Sequence, residues 1–513
     1  MKLHQATAER LLHVPLSHAP RSYVNAFVRF HHPCTFSERW RAAEDAGWNV
    51  FQFPSEMLRG GDLLSDSGTT TLTLEQLSAM LLGDQAYGSN RGYFQLLEQL
   101  EETFGIHTDT WDIFLFHQGR AAEHALFSYL GSCTPHAAIP SNGHFDTTRA
   151  NIEANAMEAV DFFLPELWEP SPHPFKGNMD LARLGTFLAE RSRDVPLVST
   201  TITNNTGGGQ PVSLANLRAT RRLCEQHGIP FFLDACRFAE NAWFIHTREK
   251  EHGALPIPEI VRTMFSLIDG FTISFKKDGL SNMGGALAIR KNSLLCQRFP
   301  NLLHRLRDHQ ILVEGHPTYG GITGRDIMVI AQGLKTVVTE EYLRSRIDQV
   351  QSFGEMLRER GIPVIEPFGG HAIYIDVDRF CEGTSLRRGD FGGISLTSLL
   401  LLKGIRLCEL GAFAFGKVDP RTGEDSFPPQ NLVRCAIPRN TYEQQDLLYV
   451  ADCIQSLHER RAQLPCAVPI YGRELPLRHF KARFELLPIP SSPTSAPAPA
   501  CAFWKGDPLP ART

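Results

Sequence analysis

The sequence has no long apolar run, which excludes a membrane-spanning helix. The longest candidate, 398–402, is cut short by Lys403 and Gly404, well below the roughly 18 apolar residues that a bilayer requires. Residues 1–24 carry histidine, glutamate and arginine among their apolar residues, so they lack the continuous apolar stretch of a secretory signal. We therefore expect a cytoplasmic protein with no membrane partner.

Paired cysteines and an excess of one charge are also absent. The 11 cysteines are spread singly, without a CxxC pair or a cysteine–histidine cluster at zinc spacing, which favours free thiols. With 51 Lys+Arg against 56 Asp+Glu in 513 residues, the net charge of -5 argues against a nucleic-acid partner. The glycine run at 207–209 is not followed by GK[ST], and no GxGxxG motif stands at a strand-to-helix turn, which excludes a nucleotide P-loop and a dinucleotide fingerprint.

The middle of the chain alternates short apolar runs with longer helical patterns. Apolar runs at 195–202 and 230–233 flank a helical segment at 213–227, the pattern of a strand–helix–strand unit with parallel strands. Two further strands are predicted at 271–275 and 285–289. The fold class is therefore α/β.

Polar residues follow several of these strands. Ligands of an open α/β sheet bind beyond the carboxyl ends of its strands, so Asn205, Asp234 and Lys277 are candidate site residues. A buried carboxylate such as Asp234 needs a cationic or hydrogen-bonding partner, and a protonated pyridine nitrogen is one that fits. The alternative is that Asp234 caps a helix or pairs with Arg237.

Two adjacent lysines, Lys276 and Lys277, follow the strand at 271–275. Neighbouring like charges lower each other's pKa, which favours a neutral amine able to form a Schiff base. The alternative is a solvated surface pair, yet such a pair rarely follows so apolar a strand directly.

A candidate anion site follows the apolar run at 113–116. A turn of backbone N–H groups at a helix N-terminus, together with an arginine, suits a phosphate. The candidate residues are Gln118, Gly119, Arg120 and Ser274. An aldehyde-binding lysine, a carboxylate for a pyridine nitrogen and a phosphate site are the parts that a pyridoxal phosphate (PLP) enzyme requires.

A series of motifs, in family order from about residue 40 to 486, resembles the tryptophanase and tyrosine phenol-lyase family of β-eliminating lyases. The motifs are 83–87 (GDQAY), 117–120 (HQGR), 205–213 (NTGGGQPVS), 234–245 (DACRFAENAWFI), 274–278 (SFKKD), 317–321 (PTYGG), 433–434 (VR), 437–439 (IPR) and 477–480 (LRHF). So many ordered motifs make the resemblance specific. It implies PLP fold type I, with a large mixed-sheet domain and a small α/β domain.

The resemblance also implies how the cofactor is held. Lys277 would bind it as an imine, Asp234 would pair with the pyridine nitrogen, and Phe145 would stack on the ring. Arg237 and Asn205 would lie near the 3'-oxygen. The phosphate would be held by Gln118, Gly119, Arg120, Ser274 and Lys276.

Around the substrate, the resemblance implies that Lys277 moves the Cα proton and that Arg434 binds the carboxylate through its two-pronged guanidinium. Ser65 stands where a substrate-contacting threonine is usual. Tyr87, supplied by a neighbouring subunit of a homotetramer, would be the general acid at the leaving group.

The sequence departs from the family pattern at a possible potassium site. The carbonyl groups of Gly68 and Asn282 would bind this monovalent cation, but Gln85 replaces a glutamate ligand and removes its charge. Phe275 replaces a small residue before the two lysines, and we expect its ring to reshape the pocket.

Three positions favour an indole over a phenol as the leaving group. Asp146 and His479 match the tryptophanase pattern, where phenol-lyases have threonine and phenylalanine. Leu410 stands where phenol-lyases have an arginine that engages the phenol oxygen, and leucine cannot serve that role. The resemblance thus predicts elimination from a tryptophan-like amino acid to give indole, pyruvate and ammonia.

Other activities are compatible with the same motifs. Phenol release from tyrosine, or β-replacement on another β-substituted amino acid, would use the same residues. A non-catalytic scaffold has no chemical need for Lys277, Asp234, Arg237 and Arg434. A generic aminotransferase is compatible with the fold, since fold alone does not fix the reaction.

The domain prediction follows the resemblance. Residues 71–325 form a large cofactor-binding domain, and residues 1–70 join 326–486 in a small domain. Residues 487–513 are predicted to be a disordered tail, because proline, serine and alanine dominate them.

Overall fold

A computed structural model describes residues 22–23, 28–169 and 171–488. The tail predicted from residue 487 lies outside the described residues from position 489 onward, and Leu487 still belongs to a strand. Within the described ranges, no helix combines the length and the apolarity needed to cross a membrane.

Helices are spread along the chain. They are α1 (Phe36–Asp45), α2 (Leu74–Leu82), α3 (Arg91–Phe104), α4 (Gly119–Cys133), α5 (Asp146–Ala154), α6 (Leu181–Arg191), α7 (Leu214–Gln226), α8 (Phe238–Arg248), α9 (Ile257–Ser266), α10 (Leu294–Arg298), α11 (Leu302–Glu314), α12 (Gly324–Val337), α13 (Glu340–Glu359), α14 (Val377–Phe380), α15 (Gly392–Leu401) and α16 (Gln444–Glu459).

The strands alternate with these helices in the first two thirds of the chain. They are β1 (Gly61–Asp62), β2 (Trp111–Phe116), β3 (Ala138–Ser141), β4 (Glu158–Asp161), β5 (Val198–Thr201), β6 (Phe231–Asp234), β7 (Gly270–Ser274), β8 (Gly285–Arg290), β9 (Ala372–Asp376), β10 (Ile405–Arg406), β11 (Cys408–Glu409), β12 (Lys417–Val418), β13 (Asp425–Ser426), β14 (Leu432–Ala436), β15 (Cys466–Tyr471) and β16 (Arg483–Leu487).

A seven-stranded sheet in the order β2-β8-β7-β6-β5-β3-β4 forms the centre of the larger of two structural units. Strands β3 to β7 pair in parallel, whereas β8 lies antiparallel between β2 and β7, so the sheet is mixed. The four strands predicted at 195–202, 230–233, 271–275 and 285–289 are confirmed as β5, β6, β7 and β8.

The register places the carboxyl ends of the central strands at one edge of the sheet. Asp234, at the end of β6, is the partner of Thr201 on β5 and of Thr272 on β7. Ser274, at the end of β7, is the partner of Gly285 on β8. Residues that follow these strands therefore converge at the same edge.

Local signals explain the helix between β5 and β6. The Ser213 hydroxyl accepts the Asn216 N–H at 3.0 Å and caps the start of α7. Gly228 follows the helix with a φ of +63°, which glycine adopts without strain. The predicted helix at 213–227 is confirmed within one residue at each end.

A second, smaller unit has its own hydrophobic core. Strands β11, β14 and β9 form an antiparallel sheet, and the buried core beside it combines Leu63 with Ile373, Val433 and Leu447. Strand β1 pairs in parallel with β10, which brings the N-terminal segment beside the C-terminal half of the chain. The exact domain boundaries stay a prediction.

Candidate active site

A cavity lies at the carboxyl edge of the large sheet, where the sequence predicts a ligand. Its lining combines residues that follow β2, β6 and β7 with residues of α4 and α5. The lining residues are Ser67, Gln118, Gly119, Arg120, Glu123, Phe145, Thr147, Thr201, Ile202, Asn205, Asp234, Cys236, Arg237, Ser274, Lys276 and Lys277. The structure thus brings together all the residues predicted to bind the cofactor.

The predicted phosphate side is built around Gly119, the first residue of α4. A side chain there would come within 2.8 Å of Ser274 Cβ, and one at Gly285 would come within 2.4 Å of the Gly119 backbone nitrogen. The two glycines therefore allow the helix N-terminus to lie directly against β7 and β8, and its N–H groups can face an anion.

Side chains complete this anion site. Ser274 Oγ is buried and makes no hydrogen bond to any residue that the structure describes. Lys276 Nζ donates to Gln118 Oε1 at 3.3 Å. Burial, with the nearby charges of Lys277 and Arg120, lowers the pKa of Lys276. A free hydroxyl beside basic groups is a donor set that suits phosphate.

Asp234 is buried at the end of β6, and one of its carboxylate oxygens accepts the Cys236 N–H at 3.3 Å. Arg237 does not pair with it, and α8 begins after Arg237 without a side-chain cap, so both alternative interpretations of Asp234 are wrong. Arg237 instead donates two hydrogen bonds to Asp66, from Nε at 2.9 Å and from Nη2 at 2.7 Å. The Asp234 carboxylate can therefore still accept a hydrogen bond from a ligand in the cavity.

Asp66 belongs to a buried charge cluster that the sequence motifs did not reveal. Burial alone would raise the pKa of Asp66, but the charges of Arg237 and Arg439 hold it well below its usual range. Arg439, fully buried, also contacts two further carboxylates, Glu240 and Asp278, at 2.7 and 2.8 Å. The cluster fixes Asp278, which directly follows Lys277.

The predicted carboxylate-binding residue, Arg434, lies on β14 of the smaller unit. Its Nη1 donates to Asn205 Oδ1 at 3.1 Å and its Nη2 donates to the Leu64 carbonyl at 2.7 Å. Its Nε is buried without a hydrogen-bond partner among the described residues. Ser65 Oγ accepts the Ser67 N–H at 3.1 Å and stabilises the adjoining turn.

His371 and Tyr374 were missed by the sequence analysis, because no motif marks them. Both contact Asn205 Oδ1, His371 Nε2 at 2.6 Å and the Tyr374 hydroxyl at 2.8 Å. Burial, followed by the charge of Arg237, lowers the pKa of His371 well below its usual range, so the ring is neutral. Arg434, His371 and Tyr374 together fix the orientation of Asn205.

Asp146 and His479, distant in sequence, lie together. His479 Nε2 is 3.5 Å from Asp146 Oδ2, and both side chains are buried. His479 Nδ1 has no hydrogen-bond partner among the described residues, and the Phe51 ring lies 5.7 Å from the imidazole. Leu410 is buried in an apolar cluster with Cys408. The structure thus brings the two residues predicted for the leaving group into one buried acid–imidazole pair, and Asp146 directly follows Phe145 of the cavity lining.

Tyr87 lies apart from the cavity in a single chain. It is 60% exposed, its hydroxyl accepts the His316 N–H at 3.0 Å, and its ring lies 5.1 Å from Tyr319. Its contribution to a neighbouring subunit's site stays a prediction.

Two departures from the family pattern can also be located. The expectation that Phe275 reshapes the pocket is wrong, because its ring is fully buried in the large core and is absent from the cavity lining. Gly68 and Asn282 are neighbours, since Asn282 Nδ2 donates to the Gly68 carbonyl at 3.1 Å, whereas Gln85 is exposed.

Comparison with solved structures supports the fold. A serine palmitoyltransferase from S. paucimobilis with a bound PLP–myriocin aldimine is 12% identical, covers 78% of this chain and 87% of its own, and has a TM-score of 0.52. A high-resolution structure of SPT with PLP internal aldimine gives the same identity, coverage and TM-score. The chain has the PLP fold type I.

Sequence comparison identifies the family. The model of the β-eliminating lyase family matches residues 62–453. A tryptophanase of Salinibacter ruber is 42% identical over 87% of this chain and 91% of its own length. A tyrosine phenol-lyase of Symbiobacterium thermophilum is 38% identical over 87% of this chain and 94% of its own.

The fold, the cavity and the sequence comparisons together show that the protein is a PLP-dependent lyase. The chain belongs to the β-eliminating lyase family. The residues present fit the cofactor: the unpaired Ser274 hydroxyl and the glycine-lined helix N-terminus suit its phosphate, and Asp234 can pair with its ring nitrogen.

Proposed function

We propose that this lyase acts on tryptophan, or a closely similar amino acid, to form indole, pyruvate and ammonia. The buried Asp146–His479 pair carries the proposal, because its side chains lie 3.5 Å apart, Asp146 directly follows Phe145 of the cavity lining, and the pair is able to bind an indole N–H. Leucine at position 410 supports it, since an apolar residue leaves a phenol oxygen without a cationic partner there. The resemblance to tryptophanases at 42% identity is consistent with this substrate.

In the proposed mechanism, PLP supplies the electron sink for negative charge at Cα. Arg434 holds the substrate carboxylate with its free Nε–H and the adjoining guanidinium N–H groups. Lys277 holds the cofactor and then takes the proton from Cα. Asp234 accepts the hydrogen bond of the ring nitrogen.

Departure of the ring needs a proton on the indole carbon that is bonded to Cβ. We assign its delivery to Tyr87 of a second copy of the chain, with Asp146 and His479 fixing the indole N–H. The Cβ–indole bond then breaks and indole leaves with that proton. Hydrolysis of the remaining three-carbon unit releases pyruvate and ammonia.

The assembly we propose is a homotetramer in which Tyr87 completes a neighbour's site. Exposed apolar side chains lie on the segments next to this tyrosine. Leu81 and Leu82, 83% and 59% exposed, end the helix before its loop, and Leu312 and Val313, 85% and 58% exposed, shortly precede its hydrogen-bond partner His316. Apolar surface of this kind marks an interface. Light scattering on the purified protein measures the assembly, and a monomer would contradict it.

Two further features follow from the same proposal. We place the protein in the cytoplasm, because its described cysteines are free thiols, which persist in a reducing compartment. Potassium would bind to the carbonyl groups near Gly68 and Asn282, and Gln85 adds no charge to hold it. We therefore propose a low dependence on this cation.

The test is an endpoint assay of the holoenzyme with tryptophan, tyrosine, cysteine and serine offered separately. Mass spectrometry identifies pyruvate and the co-product. Indole with pyruvate from tryptophan is the expected result. Phenol from tyrosine without indole from tryptophan would overturn the substrate, and cofactor converted to its amine form without pyruvate would indicate a transaminase instead.

A further inference from the structure

A second carboxyl group, that of Glu123, faces the cofactor cavity that Asp234 also lines. Glu123 lies four residues after Gly119 on α4, so the helix turns both residues toward the same edge of the sheet. It lines the cavity together with Asp234 and Lys277, and it is only 7% exposed. No motif of the sequence assigns it a role.

The partner of Glu123 is a neutral hydroxyl. The buried Thr148 Oγ1 donates to Glu123 Oε1 at 2.6 Å. Thr148 lies in the first turn of α5, which begins directly after Phe145. Because this hydrogen bond occupies Oε1, the other carboxyl oxygen is left for the cavity.

The surroundings favour the protonated form of this carboxyl group. Burial, followed by the charge of Asp234, raises the pKa of Glu123 to about 8. The other titratable or bonding groups that face it are Thr148, Lys277, Arg120 and Cys236. Two buried carboxyl groups at one site do not both ionise readily, and Asp234 is the one that the ring nitrogen needs as a carboxylate.

We propose that Glu123 is a positioning residue that presents its own proton to Asp234 and thereby keeps Asp234 ionised toward the ring nitrogen of PLP. A hydrogen bond from a neutral acid stabilises the Asp234 carboxylate, so the shared proton stays on the ring nitrogen. Without that donor, a buried Asp234 is more basic and takes the proton from the ring. The proposal concerns the cofactor and does not depend on which amino acid is the substrate.

A purely structural role would give a different pattern. If Glu123 only joined α4 to α5 through Thr148, removing the Thr148 hydroxyl would have the same effect as replacing Glu123. If Glu123 acts on Asp234, a glutamine in its place would still donate a hydrogen bond, whereas an apolar residue of similar size would not.

The experiment uses holoenzyme reconstituted with PLP that carries nitrogen-15 in its ring. The ring-nitrogen resonance of the wild type and of Glu123→Gln and Thr148→Val is expected at the position of a protonated pyridine. In Glu123→Leu it should move toward the unprotonated position, and the dissociation constant for PLP should rise about tenfold, the factor for one lost hydrogen bond. An unmoved resonance in Glu123→Leu, or equal shifts in Glu123→Leu and Thr148→Val, would overturn the proposal.

A second measurement needs no apolar variant. The infrared spectrum of the wild-type holoenzyme at neutral pH should contain a protonated-carboxyl band that is missing in Glu123→Gln. A wild-type spectrum without that band contradicts the proposal directly. Neither readout involves turnover, so a wrong substrate assignment would leave both results unchanged.

Discussion

Arg237 and Asp66 form a buried ion pair with two hydrogen bonds, at 2.9 and 2.7 Å. Arg237 follows the β6 strand of the large sheet, whereas Asp66 belongs to the N-terminal segment that packs with the smaller unit. Arg439, from the C-terminal half, contacts the same aspartate at 3.0 Å. Arg237, Asp66 and Arg439 together therefore join three distant parts of the chain beside the cofactor cavity.

The variant Asp66→Asn should destabilise the protein by about 3–5 kcal/mol, because Arg237 and Arg439 would lose their shared buried carboxylate. Denaturant unfolding of the cofactor-free protein measures this change. The control Glu340→Gln removes an exposed ion pair with Arg344 and should cost less than about 1 kcal/mol. Equal losses in the two variants would contradict the role of the buried cluster.

The variant Ser274→Ala should weaken PLP binding about tenfold, since it removes one hydrogen-bond donor from the phosphate site. Equilibrium dialysis of the cofactor measures the dissociation constant. Ser266→Ala is a suitable control, because its hydroxyl donates only to the Thr263 carbonyl at the end of α9. An unchanged constant in Ser274→Ala would place the phosphate elsewhere.

The variant His479→Phe should lower kcat/KM for tryptophan by about 100-fold, because the apolar ring cannot fix the indole N–H together with Asp146, and a hydrogen bond to a charged group is lost. Steady-state assays of indole release measure the effect, and the visible absorbance of the bound cofactor should stay unchanged. His107→Phe, at an exposed position, is the control. If both variants behave alike, the pair does not act at the leaving group.

The pH dependence of stability should report the raised pKa of Glu123. Between its ordinary value of 4.5 and about 8, the folded protein holds a proton that the unfolded chain has released, so this carboxyl makes stability fall as pH rises. The slope is at most about 1.4 kcal/mol per pH unit. Glu123→Gln lacks this titration.

Unfolding experiments on the cofactor-free protein therefore distinguish the wild type from Glu123→Gln. The stability advantage of Glu123→Gln over the wild type should be absent below pH 4.5 and should increase up to about pH 8. A constant difference across that range would mean that Glu123 ionises normally in the folded state.

The dependence of the activity on potassium should change with the residue at position 85. We expect the wild type to change its activity by less than about twofold when potassium is replaced by a large organic cation, because Gln85 contributes no charge. Gln85→Glu should increase the dependence on potassium. A wild type that loses its activity without potassium would show that the carbonyl groups suffice for strong binding.

Much of the cofactor site could be predicted because it depends on local order. Asp234 and Lys277 follow apolar strands, and parallel strands bring their carboxyl ends to one edge of the sheet. The partner of Arg237 could not be predicted in the same way, because Asp66 lies far away in sequence and only tertiary packing joins the two.

The direction in which a side chain points could not be predicted from the sequence either. Phe275 stands between Ser274 and Lys276, which both line the cavity, yet its ring turns into the core and does not line the cavity. Helical spacing could have predicted that Glu123 faces the cavity, since a residue four positions after Gly119 shares its helix face. No comparable periodicity marks His371 or Tyr374.

The three ion pairs of Arg439 can form only late in the synthesis of the chain. By the time a ribosome has made Asp278, six of the seven strands of the large sheet have been made, but Arg439, whose guanidinium pairs with Asp66, Glu240 and Asp278, has not. Three carboxylates then lack a shared counter-ion. The nascent chain can form its sheet early, whereas the charge cluster beside Lys277 is completed only when Arg439, in the final quarter of the chain, has been made.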